Sequence, residues 1–105
     1  MPTETIAGTS VQVDDEGFFT DHLAWSEGMA PTLAAEAGID ELTEDHWTVV
    51  KFMRVDFEEK GESPTLRRVS AQTGITTKRL FELFPKKPAK KMAYVAGVPK
   101  PKGCV

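Results

Sequence analysis

Apolar and polar positions along this chain change period once, from that of a strand to that of a helix. In "TIAGTSVQVDDEGFFTD" Val11 and Val13 alternate around Gln12, the period of a half-buried strand. "GTS" and "DDEG" carry turn chemistry, with Gly8 and Gly17 able to take positive φ. The stretch predicts three short strands in a meander. Asp14, Asp15 and Glu16 lack the ligand spacing of a calcium loop and read as solvated turn acids.

After this the period lengthens to that of a helix. "WSEGMAPTLAAEAGI" predicts a helix capped by Ser26 and ended by Gly38, its first turn made irregular by Gly28 and Pro31. "LTEDHWTVVKFMRVDFEEKGE" carries the strongest helical pattern. Thr43 is its N-cap, Glu44 and Asp45 suit the positive end of the dipole, and Gly61 stops it. Trp47, Val50, Phe52, Met53, Val55 and Phe57 supply its apolar face. His46 in the first turn reads as a packing or capping residue. "SPTLRRVSAQTG" predicts a helix with Ser63 as cap and Pro64 at the first position, ended by Gly74. "TTKRLFELF" predicts a short helix stopped by Pro85, and "KPAKKMAYVAG" a last one between Pro88 and Gly97.

The expected fold is therefore α+β: a small N-terminal β-meander packed against about five short helices. Residues 1–97 form the globular domain. Residues 98–105, "VPKPKGCV", form a mobile arm in which Pro99 and Pro101 forbid helix and favour an extended course. Fully extended, the eight residues span roughly 25 Å.

Composition narrows the function. The chain has 105 residues, enough for one core, with 40% hydrophobic and 28% charged positions. No apolar run approaches a membrane span, and "MPTETIAGTS" lacks the pattern of a secretory signal, so a cytoplasmic location is expected, with no membrane partner. The single cysteine excludes an internal disulfide and any metal site needing several thiolates; neither metal nor organic cofactor is expected.

Charge is uneven. Residues 1–62 carry a net −12 and residues 63–105 a net +9. The basic half suits nucleic acid or an acidic protein; alternatively, the two halves pack together and neutralise each other. Residues 65–84 also fit a helix-turn-helix, with Arg67, Arg68, Lys78 and Arg79 exposed and Thr76, Thr77 and Lys78 at the start of a recognition helix. That spacing serves equally as plain helix packing.

The one thiol, Cys104, is second from last. A nucleophile on a mobile tail gains little preorganisation, which argues against an enzyme using Cys104 with His22 or His46. No phosphate loop or paired-carboxylate motif is visible. A tail thiol suits a carrier, because thiol exchange requires visiting the active sites of both a donor and an acceptor. Lys100 and Lys102 favour the thiolate and the terminal carboxylate of Val105 opposes them; Gly103 removes bulk beside the sulfur. The alternative is an incidental cysteine at a frayed terminus.

"LFPKKPAKKMAYVAGVPKPKGCV" resembles the C-terminal signature of the DsrC/TusE family of sulfur-relay proteins, approximately LFPxGPAKQAxxxAGLPKPxGCV. "DDEGFF", "LTEDHWTVVKFMR" and "SPTLRRV" resemble further segments of that family in the same order, so the likeness covers nearly the whole chain. It implies a β-meander on a helix array with a mobile arm, and a persulfide carried on Cys104. In the TusE branch, sulfur arrives from a TusBCD-type complex and passes to the thiouridylase that makes 2-thiouridine at the tRNA wobble position, so that tRNA is met only indirectly. In the DsrC branch the partner is dissimilatory sulfite reductase, and a second cysteine eleven residues before the last one allows a bridge. Here that position is Ala93, which disfavours the bridging role. Further departures are Lys87 for glycine, Lys91 for glutamine and a shortened stretch between Arg67 and Leu83. Single-cysteine relatives of regulatory role also exist.

The likeness adds support residues. Arg67 matches the family's arginine and is expected either beside the docked arm, where a cation stabilises a thiolate or persulfide, or simply on a helix surface. Lys90 matches the family's "PAK". Near a helix start it opposes the dipole, so a contact with the arm or a partner is expected. Trp25 and Trp47 are expected in the core. The resulting expectation is a sulfur-transfer carrier rather than a free-standing catalyst, with a DNA-binding regulator as the rival.

Overall fold

The computed structural model describes residues 3–101. It begins with an antiparallel hairpin of β1 (Thr3–Ile6) and β2 (Thr9–Gln12), with Thr3 opposite Gln12 and Ile6 opposite Thr9. Ala7 and Gly8 connect them, both at positive φ (50° and 83°), the backbone that twists a two-residue turn to match its strands. The expected third strand is reduced to one bridge between Val13 and Phe19. The reason lies in Asp14. Its Oδ1 accepts the N–H groups of Glu16 and Phe18, both at 2.9 Å, and these bonds fold residues 14–18 into a tight turn instead of a ladder.

The predicted irregular first turn after Ser26 is a 3₁₀ turn (Glu27–Met29), which runs into α1 (Ala30–Glu36). An earlier 3₁₀ turn (His22–Ala24) is capped by the side chain of Asp21. The long helix α2 (Glu44–Lys60) starts at Thr43 and stops at left-handed Gly61, as its caps predict. Helix α3 (Leu66–Thr73) starts later than expected. Its N-cap is Thr65, whose hydroxyl accepts the Arg68 N–H, so neither Ser63 nor Pro64 lies in the helix. Helices α4 (Thr77–Leu83) and α5 (Pro88–Ala96) follow, α5 with Pro88 in its first turn and left-handed Gly97 at its end.

Helix α5 is the centre of the fold and packs on α1, α2 and α4. Pro88, Ala89, Met92, Ala93, Val95 and Ala96 are buried, and the three alanines let neighbouring helices approach closely. Val49, Val50 and Met53 of α2 face it and are fully buried, whereas Val55, expected on that face, is 58% exposed. A second apolar cluster joins the hairpin to α1 through Ile6, Val11, Val13, Phe19, Met29 and Leu33. Trp25 and Tyr94, both partly buried, pack against both clusters and tie the hairpin to the helices. Trp47 is likewise a partly buried member of the helical core. Among the described residues, no helix is long and apolar enough to cross a membrane.

His46 is a structural residue. Its Nδ1 accepts the Thr43 N–H at 3.0 Å, closing a capping box, and its Nε2–H donates to the Leu83 carbonyl at 2.8 Å. One buried imidazole thus joins the start of α2 to the end of α4.

Candidate functional site

The chemistry expected from the sequence lies beyond α5. Lys102, Gly103 and Cys104 fall outside the described residues, so the site is built from the arm's root, residues 97–101, and from what holds it.

The helix end comes first. Gly97 ends α5 at φ 69°, and the Val98 N–H returns to the Ala93 carbonyl at 3.1 Å, which closes the last turn. A Cβ on Gly97 would overlap the indole of Trp25. Trp25 Nε1–H donates to the Val95 carbonyl at 3.0 Å. The Arg54 guanidinium stacks 4.3 Å from the Trp25 ring centre and donates to the carbonyls of Ala96 and His22, each at 2.9 Å. Two carbonyls that the helix leaves open at its C-terminus are therefore satisfied by side chains from other elements.

The arm's first residues then pack on the body. Val98 is fully buried and Pro101 is buried. Ser63 Oγ donates to the Pro99 carbonyl. This is the use of Ser63 in place of the predicted helix cap. Ser63 also lines a pocket with Asp56, Lys60 and Arg68.

Lys100 makes the furthest contact. Its Nζ donates to Glu16 Oε2 at 2.6 Å, and Lys90 Nζ of α5 lies 3.7 Å from Glu16 Oε1. The hydrogen bond from Lys100, reinforced by the charge of Lys90, holds the Glu16 carboxyl below its ordinary range. Glu16 is placed by the Asp14 turn, and that turn lies against α5. A Cβ on Gly17 would stand 3.6 Å from Tyr94, and Phe18 meets the Tyr94 ring edge-on at 6.0 Å. The DDEG turn thus presents a carboxylate to the arm.

The structure brings together two of the sequence-predicted site residues, Lys90 and Lys100, through Glu16. Arg67 is placed apart from them, exposed on α3. Its neighbour Arg68 carries the geometry: Nη2 and Nε donate to Asp56 at 2.7–3.0 Å, and Asp56 is only 3% exposed. Arg79, a residue of the helix-turn-helix alternative, is turned to Asp45 and Glu82, each at 3.3 Å. Arg68, Arg79, Lys90 and Lys100 all pair with acids of the N-terminal half, so part of the charge asymmetry is neutralised internally. Lys78, Lys86 and Lys87 are exposed. Among the described residues, no group of His, Cys, Asp and Glu is arranged to hold a metal ion.

Ala93, the position at which the resemblance implies a second cysteine in a bridging relative, is fully buried in α5. The substitution at Lys87 also has a local explanation. Its φ is −85°, open to any residue, while the left-handed position of this loop is Lys86 at φ 70°.

The match to known proteins takes in nearly all of this architecture. A family described as DsrC like protein matches residues 5–105. The chain belongs to the DsrC-like family. It is 40% identical to the sulfurtransferase TusE of Pectobacterium atrosepticum, covering 93% of this chain and 95% of that protein. It is 33% identical over the full length of both chains to the gamma subunit of dissimilatory-type sulfite reductase from Nitratidesulfovibrio vulgaris. Among solved structures, a chain of dissimilatory sulfite reductase I superposes with a TM-score of 0.88 at 32% identity, covering 99% of this chain and 100% of that one. DsrC of Allochromatium vinosum superposes at 0.83 with 35% identity, covering 98% and 97%. Relatives named TusE and a relative named as a sulfite reductase subunit thus each match nine-tenths or more of the chain.

Three residues that hold the arm were not linked to it from sequence: Glu16, Ser63 and Arg54. Each meets its partner across more than thirty positions, a pairing that no local pattern records.

Proposed function

We propose that this chain is a cytoplasmic sulfur carrier of the TusE kind, holding persulfide sulfur on Cys104. The Cys104 thiolate attacks the outer sulfur of a donor persulfide. The donor's S–S bond breaks, the donor leaves as a thiolate, and Cys104 becomes Cys–SSH. The sulfur keeps its oxidation level, so the step needs no redox partner. The reverse geometry at an acceptor releases the same sulfur and regenerates the thiol. The donor is a TusBCD-type complex. The acceptor is the thiouridylase of the tRNA wobble position, and tRNA is met only on that enzyme.

Ala93 is the observation that carries the TusE-like branch. With a fully buried methyl group where a second thiol is required, the chain can hold a persulfide but cannot close an intramolecular bridge through that position. This argues against a bridge-forming partnership with sulfite reductase.

Reconstitution tests the branch. Protein loaded with sulfur is mixed with thiouridylase, ATP and substrate tRNA, and 2-thiouridine is measured by nucleoside mass spectrometry. Wild type should support its formation and Cys104→Ser should not. Loaded protein that delivers no sulfur to tRNA, yet binds sulfite reductase and is consumed by it, would overturn the assignment.

A further inference from the structure

We propose that Glu16 is the positioning residue of the arm, a fixed carboxylate that holds Lys100 and so sets where the thiol rests between transfers. The inference rests on the carrier reading for its purpose, but its geometry is independent of that reading. Glu16 sits on a turn built without the arm, by two N–H bonds to Asp14 and by packing of Gly17 and Phe18 on Tyr94. Two cations from different elements converge on it, Lys90 from α5 and Lys100 from the arm. Among the described residues, this is the last side-chain pairing before the thiol.

Chain length gives the pairing its effect. Cys104 is three residues beyond Pro101, so with the arm held as far as Pro101 its Cα stays within about 10 Å of that residue's Cα. With the arm released beyond Pro99, which Ser63 still holds, five residues reach roughly 18 Å. Holding or releasing Lys100 therefore helps to decide whether the thiol stays close to the body or extends toward a partner. The pair is solvent-accessible, with Lys100 36% and Glu16 48% exposed. Exposed pairs shift equilibria by only about two- to five-fold, which suits a hold that a partner must release easily.

A nitroxide attached to Cys104 through a disulfide reports the arm directly by its spectral mobility and requires no sulfur loading. The ratio of mobile to immobile spectral components should rise about two- to five-fold in Glu16→Gln. The same rise is expected in Lys100→Gln. The double variant should be no more mobile than either single, because both remove one interaction. All positions changed are on the surface, so far-UV circular dichroism and the melting temperature should stay close to wild type. A Glu16→Gln spectrum identical to wild type, or effects of the two substitutions that multiply, would overturn the proposal. A chain that fails to carry sulfur while showing these spectra would overturn the carrier reading alone.

Discussion

The indole of Trp25 stands where any side chain on Gly97 would have to go. Gly97 is also left-handed, so two independent costs fall on one substitution: backbone strain of about 1–2 kcal/mol and overpacking of about 1–3 kcal/mol. Gly97→Ala should lower unfolding free energy by about 2–5 kcal/mol in urea titrations. An unchanged midpoint would mean that the end of α5 can move off Trp25 without loss.

Arg54 satisfies two carbonyls and Trp25 one. Arg54→Met should therefore cost more than Trp25→Phe, about 2–3 against about 1 kcal/mol, by the usual penalty for stranding buried acceptors. Amide exchange at Gly97 and Val98 should quicken in both. Equal protection in wild type and variants would show that these side chains do not secure the arm's origin.

The Asp56–Arg68 pair predicts an asymmetry. Asp56 is buried whereas the Arg68 side chain is 38% exposed. Arg68→Met strands a buried carboxylate and should lower the unfolding midpoint by the larger amount. Asp56→Asn leaves a guanidinium that water can reach and should lower the midpoint by less. Denaturation curves in the opposite order would contradict this reading of the pair.

Glu16 gives the arm a pH dependence of defined sign. Its carboxyl is held below the ordinary range, chiefly by the Lys100 hydrogen bond, so the pairing is complete above that range and is lost as pH falls through the lowered value. A nitroxide on Cys104 should gain mobility as pH falls below the ordinary carboxylate range. Glu16→Gln should remain flat across the same interval. Parallel titrations in the two proteins would assign the transition to another group.

Helix boundaries were legible wherever a local cap decided them. Thr43, Gly61, Gly74, Pro88 and Gly97 each act within a few residues of their own position. Ser63-Pro64 looked like such a start, but Thr65 supplies the cap and Ser63 binds Pro99 instead. Either residue could cap that helix; the arm's return to this loop decides between them. Glu16 looked like one solvated acid among three, and by local pattern it is. Its role comes from Lys90 and Lys100, which only the packing of α5 brings to it. Arg67 and Arg68 are adjacent and chemically alike, and the buried Asp56 on α2 selects Arg68. Cys104 lies outside the described residues, so its proposed role rests on the sequence pattern around it.

The central claim is that Cys104 carries sulfane sulfur. Intact-mass spectrometry after incubation with a cysteine desulfurase, cysteine and TusBCD-type relay proteins measures this directly. Wild type should gain about 32 Da, one sulfur atom, reversible by a thiol reductant. Cys104→Ser should gain nothing. Wild-type mass that stays unchanged beside a donor shown to load another carrier, or an equal gain in Cys104→Ser, would contradict the account.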